Sequence, residues 1–323
     1  MKIAVIGSRG MVGSAVMKWW NSPAIRGKMT DGALAGLPDD ELFPMDLPEF
    51  DVSSRLFTKD AFDAIRPDVI LNVSGINLLD WLESHPNTAR TIHVQGAANL
   101  REAAKKTGAL LVQLGCAEVF YSPAPAQTAE GEKNGQDEKK IEENRAKTEE
   151  DVPNPESVYA LTKLDAERAA SEAERHLIVR TSTLFGAPGS QGSGNLVETV
   201  LKASRRSRSI QVIREIVTSP TFKLDLLRGL YYLIQTGATG RYHVAGPKSA
   251  SLDEMARFLL DACGLKRHSV TGISMKDYGC RAPRSTWTVL DSTRYRTLPG
   301  AYPIPDWKAG IEEFLELRRK IGG

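Results

Sequence analysis

"KIAVIGSRGMVGSAV", residues 2–16, decides how the rest of the chain is read. Lys2–Ile6 is a short run dominated by β-branched and small apolar residues and closed by a glycine, the pattern of a buried strand. From Met11 onward the apolar residues take up helical spacing. Gly7, Gly10 and Gly13 follow the spacing G-x-x-G-x-x-G across that junction. Glycines there let the backbone turn tightly and approach a ligand. The exposed N–H groups at the helix start, Met11 and Val12 among them, favour the negative charge of a pyrophosphate, as does the helix dipole.

Reading outward, "RPDVILNVSG" (66–75) and "GALLVQLG" (108–115) are further buried strands, and "HPNTARTIHVQGAANLREAAKKTG" (85–108) between them is an alanine-rich helix closed by glycine. "HLIVRTSTLFG" (176–186) and "GRYHVAG" (240–246) supply later strands. Strands alternating with helices predict an α/β fold, a Rossmann-type doubly wound parallel sheet. Trp20–Phe43 is the weak stretch, with glycines and prolines where a second helix–strand unit belongs. Residues 124–151 are polar and highly charged with almost nothing to bury. They read as a solvated, mobile insertion or as a lid.

The chain has 323 residues and a formal net charge of +2, with 41% hydrophobic and 25% charged residues. That suits a globular protein with a substantial core and gives no electrostatic reason to expect nucleic acid or a membrane as partner. Three cysteines, Cys116, Cys263 and Cys280, fit a reducing compartment better than a disulfide framework. No apolar run approaches the ~20 residues needed to span a bilayer, and the first residues lack a cleavable leader pattern. The expectation is a cytoplasmic protein. No His, Cys and acidic cluster has metal-ligand spacing, so no metal is expected.

"NPESVYALTKLDAER" (154–168) puts Tyr159 and Lys163 four residues apart, on one face of a helix that starts near Ser157. A nearby ammonium favours tyrosinate, so Tyr159 is a candidate general acid or base. Asp46 and Asp51, in "FPMDLPEFDVSS" (43–54), are candidate acceptors for the adenosine ribose and the adenine amino group. Asp46 argues for NAD. Arg9, beside the glycine turn, can pair with a 2′-phosphate and argues for NADP.

With these motifs in hand the sequence resembles the extended short-chain dehydrogenase/reductase family, over nearly the whole chain. The likeness is nearest to its dTDP-4-dehydrorhamnose reductase branch, through "RPDVILNVSGINLLDWLESHP", "VRTSTLFG", "VTSPTFKLDLLRGLYYLIQTGATGRYHVAG" and "RAPRSTWTVLDSTRYR". The glycine turn is similar to that of GDP-fucose synthases. The resemblance implies an NAD(P)-binding Rossmann domain over 1–181 and a smaller α/β, mainly substrate-binding domain over 182–323, with the chain returning to the first around 215–246. It implies hydride transfer between nicotinamide and the C4 of a nucleotide-linked 4-keto-6-deoxy sugar, with Tyr159 as proton donor and Lys163 holding the nicotinamide ribose. Homodimers are usual for it. The expected cofactor residues are Gly7, Arg9, Gly10, Met11, Val12, Gly13, Asp46, Asp51, Val52, Asn72, Val73 and Ser74, together with Tyr159 and Lys163.

The family carries Ser or Thr where this chain has Cys116, and a thiol polarises a carbonyl less well. The rhamnose-type reductases then have Asp and Tyr, where Ala117 and Glu118 stand here. Glu118 matches the base of related dehydratases. Cys116 reads as a weak stand-in for the hydroxyl, an inert small residue, an acid/base thiol working with Glu118, or a nucleophile. His93 sits where many relatives have asparagine and reads as a partly buried helix histidine in preference to a catalytic one. In the second half, Asn195 is expected at the sugar nucleotide and Arg284 at its phosphates. Trp287 is expected to stack on a base or to fill the core. Arg205, Arg206 and Arg208 read as a basic helix end ahead of a diphosphate site. Three functions stay open: reductase, epimerase or dehydratase with tightly bound NAD and Glu118 as base, and a non-catalytic regulatory subunit.

Overall fold

The computed structural model describes residues 1–29, 34, 36–123, 145–189 and 194–320. The first half alternates strand and helix: β1 (Lys2–Ile6), α1 (Met11–Trp19), β2 (Glu41–Met45), α2 (Arg55–Ile65), β3 (Val69–Asn72), α3 (Gly96–Thr107), β4 (Leu110–Cys116), α4 (Val158–Ser171) and β5 (His176–Thr181). The second half adds β6 (Leu184–Phe185), α5 (Leu196–Ser204), β7 (Ser209–Ile213), β8 (Val217–Thr218), β9 (Thr221–Phe222), α6 (Lys223–Gln235) and β10 (Gly240–His243). It closes with β11 (Ala250–Ser251), α7 (Leu252–Ala262), β12 (Ser269–Ile273), β13 (Trp287–Thr288) and α8 (Trp307–Lys320).

Six strands form one parallel sheet in the order β10-β5-β4-β3-β1-β2. The expected doubly wound α/β fold is present, and its cause is visible in the strands. Ile3, Val5, Val69, Leu71, Val112, Leu177 and Val179 face one core with Val12 and Val16 of α1. Their neighbours Ala4, Ile6, Ile70, Leu111 and Ile178 face a second core with Phe62 of α2 and Leu100 of α3. A strand buried on both faces reads as an unbroken apolar run, because its period-2 alternation has no polar side to show. Helix α6 lies against α1, and every residue from Lys223 to Ile234 is buried. Smaller sheets, β7 with β12, β6 with β9 and β11-β8-β13, carry the remaining strands.

Three sequence expectations need correction. The stretch from Trp20 to Phe43 holds a 3-10 turn at Arg26–Lys28 and then β2, which contains Pro44. An edge strand tolerates proline because one side of its ladder has no partner, and β2 is the sheet edge. The single helix expected over 85–108 is broken by a π-helical turn, Arg90–Gln95, that carries His93. Residues 145–151, read as part of a solvated insertion, are packed. Lys147 bridges to Leu290. Glu149 is buried and accepts the His243 N–H at 2.7 Å. A carboxylate that satisfies a buried backbone donor is worth burying, which composition alone cannot foresee. The rest of that expectation, 124–144, lies outside the described residues. Among the described residues, no helix is long and apolar enough to cross a membrane.

Candidate active site

The parallel sheet places the ends of β1, β3 and β4 on one edge, and the segments that leave them build the site. Gly7 takes φ +82°, and a Cβ there would meet the Ser74 backbone at 2.7 Å. A Cβ at Gly13 would overlap the Gly7 carbonyl. Helix α1 begins at Gly10 with no side-chain cap, so its first amides depend on solvent or a ligand. This turn fits a pyrophosphate: a glycine cradle closed to side chains, opening onto an uncapped helix start.

Around it, Asp46 accepts the Arg9 N–H at 2.7 Å and the Leu47 N–H at 2.9 Å. The Arg9 guanidinium bonds the Leu47 carbonyl and pairs with Glu49 at 3.0 Å. Asp51 takes the Ser53 amide and hydroxyl, while Val52 packs on Gly96. Asn72 is buried, bonded to Gln113 at 2.8 Å and to Ser74, and the Val73 N–H bonds the Ile6 carbonyl. Asp46, Asn72, Val73 and Ser74 adjoin the glycine turn, and none of these residues lines the cleft beyond it.

That cleft, of about 790 Å³, runs from Met11 past the end of β4 to β7. It gathers Cys116, Glu118, Tyr159, Lys163, Asn195 and Arg284 from four separate segments. Ser157 caps α4 by accepting the Ala160 N–H at 3.1 Å, which sets the phase of the helix that carries Tyr159 and Lys163. The Tyr159 and Cys116 side chains both line this cleft and act on each other electrostatically. Burial, then Cys116 and Glu118, holds the Tyr159 phenol well above its usual range. The expected lowering by Lys163 is absent. That amine is buried and donates to the Leu114 carbonyl at 2.6 Å, and burial lowers its own pKa. Tyr159 is therefore a neutral acid rather than a ready base.

Burial pushes the Cys116 thiol up to about 11. A neutral thiol neither attacks nor abstracts. Burial also raises Glu118 to about 7, against the opposing pull of the Ser285 N–H and of Arg284. A carboxyl poised there can exchange protons near neutrality.

His93 donates and accepts structurally. The Ile76 N–H reaches Nε2 at 3.1 Å, which leaves the proton on Nδ1 to meet Thr162 Oγ1 at 2.9 Å. Burial, then the Lys163 charge, lowers it to about 3. This neutral ring ties the segment after β3 to the helix of Tyr159.

Arg284 forms a two-point pair with Asp80, at 2.9 and 3.0 Å, and the Arg281 and Ala282 amides bond the same carboxylate. Asp80 lies on the short helix Leu79–Glu83. No sequence signal marked it, since 204 residues separate it from Arg284. Asn195 caps α5 and bonds the Gly186 carbonyl at 2.7 Å. Trp287 does not line the cleft. Its indole donates to the Arg145 carbonyl at 3.0 Å. Arg205, Arg206 and Arg208 stay exposed beyond α5 and outside the cleft.

A tyrosine and a lysine on the helix after the fourth sheet strand, opposite a glycine turn after the first, define NAD(P)-dependent reductases of the short-chain dehydrogenase/reductase type, and this chain is one of them. The family model described as the RmlD substrate binding domain matches residues 1–319, and the chain belongs to that family. Curated relatives include the Bacillus subtilis spore coat polysaccharide biosynthesis protein SpsK, 24% identical over 83% of this chain and 85% of that protein. The dTDP-4-dehydrorhamnose reductase of Escherichia coli is 26% identical over 78% of this chain and 80% of that enzyme. Among solved structures, a dTDP-4-dehydrorhamnose reductase of Clostridium acetobutylicum superposes with TM-score 0.81 at 24% identity, covering 99% of this chain and 100% of that one. The Bacillus anthracis enzyme in complex with NADP gives 0.81 at 23%, covering 98% and 99%.

Proposed function

We propose that this protein reduces a nucleotide-linked 4-keto-6-deoxy sugar at C4, with NADPH as reductant and Tyr159 as proton donor. The observation that carries the reading is Tyr159 itself: a phenol in the cleft beside Cys116, kept protonated by burial. Bound NADPH supplies the hydride. A phenol that retains its proton can deliver it to the carbonyl oxygen as charge develops there. Cys116 polarises the same oxygen weakly, and Lys163 offers its ammonium to the nicotinamide ribose. Asn195 and Arg284 meet the nucleotide end, Arg284 sharing its guanidinium between Asp80 and phosphate. Relatives named as dTDP-4-dehydrorhamnose reductases support the substrate class. NADPH is favoured over NADH because both Asp46 oxygens already accept backbone amides. The Arg9 guanidinium can exchange Glu49 for a 2′-phosphate.

Glu118 supports a second reading. A half-buried carboxyl raised to about 7 beside the reacting carbon suits proton abstraction next to a ketone, as in epimerisation. The experiment incubates the purified protein with NADPH or NADH and a panel of nucleotide-linked 4-keto sugars, following reduced nicotinamide and product mass. Stoichiometric oxidation, cut by about 10²–10⁴-fold in Tyr159→Phe with cofactor binding retained, is the expected result. A product of unchanged redox state that depends on Glu118 supports the second reading. Cofactor binding with no turnover across the panel counts against both.

A further inference from the structure

The end of β4 meets one face of α4 at three levels. Lys163 donates to the carbonyl of Leu114. Glu167, one turn further on, sits against Gly115, where a Cβ would overlap its carboxylate and stand 2.9 Å from the Arg180 side chain. Tyr159, one turn back, stands with Cys116 in the cleft. Three successive strand residues thus receive three side chains spaced four apart on the helix. Glu167 is held by Arg180 of β5 through Nε at 3.0 Å and Nη2 at 2.7 Å, with both side chains at 0–1% exposure.

A buried ion pair is weak ground for stability, because desolvation offsets the attraction. This pair also leaves Arg180 Nη1 buried with no partner. Its placement answers a different need. Lys163 is a buried amine, and burial lowers its pKa while Cys116 and Glu167 oppose that. Cys116 is a neutral thiol up to about 11, so Glu167 is left as the anion that acts on Lys163 at neutral pH. The other titratable groups facing the amine are Tyr159 on the same helix and His93 from the π-helical turn. Arg180 reaches it through Glu167, and Glu118 acts on Tyr159 and Cys116.

We propose that Glu167, clamped by Arg180 and given room by Gly115, is a positioning residue that serves as the counter-charge of Lys163 and keeps its ammonium available to the cofactor. The inference rests on the reading of Tyr159 and Lys163 as the working pair. It adds a third member, Glu167, that touches neither substrate nor cofactor.

The test titrates Lys163 directly, by ¹⁵N-lysine NMR of the full chain, with the signal assigned through Lys163→Met. Glu167→Gln leaves Arg180 as an unpaired cation, so the Lys163 midpoint is expected to move acidward by about one pH unit or more. Glu167→Gln/Arg180→Met removes both charges, so its Lys163 midpoint is expected between those of Glu167→Gln and the parent. It keeps the test open if the single variant does not fold, and then an acidward shift of more than about 0.3 unit supports the proposal. A midpoint within about 0.3 unit of the parent in either folded variant overturns it. Glu167→Asp is expected to restore part of the shift. The titration needs no substrate, so an inactive sugar panel would sink the reductase reading without touching this result. Where turnover is found, the alkaline limb of kcat/KM should move with the Lys163 midpoint, which a purely structural loss would not produce.

Discussion

Cys116 and Glu118 are where this chain departs from the pattern that the resemblance implies, and each residue has a measurable consequence. A hydroxyl donates a stronger hydrogen bond to a carbonyl than a thiol does. Cys116→Ser should therefore raise kcat by roughly tenfold on a 4-keto substrate, with the circular dichroism spectrum unchanged. An unchanged rate would mean that the thiol does not face the carbonyl. For Glu118 the sign follows from linkage. Its folded pKa of about 7 lies above the ordinary value of 4.5. The folded state then holds the proton more tightly, and stability is full below about pH 4.5 and declines as pH rises through about 7. Glu118→Gln removes that loss. It should stabilise the protein by about 1–2 kcal/mol at pH 8 and by little at pH 5, read from thermal melts at the two pH values. An equal gain at both would show that the carboxyl is not raised.

At the scale of elements, the short helix Leu79–Glu83 organises the segment that closes the far wall of the cleft. Asp80 receives the Arg281 and Ala282 amides and the Arg284 guanidinium. The same pairing holds its carboxyl well below the usual range. Asp80→Ala deletes all of these bonds at once. Trypsin should then cut at Arg281 or Arg284 at least about tenfold faster, since each charge-assisted bond is worth about 1.5–3 kcal/mol. NADPH affinity should not change, because the glycine turn stands apart from this contact. Peptide mass mapping over a digestion time course checks both sites. The π-helical turn works by similar means: it brings His93 inward to bind Ile76 and Thr162, so the segment after β3 and helix α4 share one neutral ring.

At the scale of the whole molecule, one core joins the two halves. Ile3, Val5 and Val12 share it with Leu226 and Leu230 of α6, with Val244, and with Ile311 and Phe314 of α8. Arg228 of α6 pairs with Asp225 and with Glu313 of α8, both at 2.6 Å. A fragment ending at residue 181 would lack α6 and the edge strand β10, and would leave one face of the sheet bare. Such a fragment should be insoluble or bind a hydrophobic dye strongly, and the intact chain should melt in a single transition. A soluble, cooperatively folding 1–181 fragment would contradict this.

The doubly wound sheet was legible in the sequence because buried parallel strands are local patterns: each of "KIAVIG", "DVILN" and "LLVQL" declares itself by its own apolar run, and the glycine turn by its place between strand and helix. Tyr159 and Lys163 were legible for the same reason, four residues apart on one helix. Glu167, four residues further, shares that spacing, but nothing local marks it, because its partner Arg180 lies on another element. What the tertiary structure decided is what depends on distance in the chain. Asp80 meets Arg284, Glu149 meets His243, and Trp287 turns away from the cleft to Arg145. It also decided protonation. Sequence proximity predicted that Lys163 would ionise Tyr159, whereas burial, which no short stretch of sequence encodes, keeps the tyrosine an acid and brings Glu118 to neutrality.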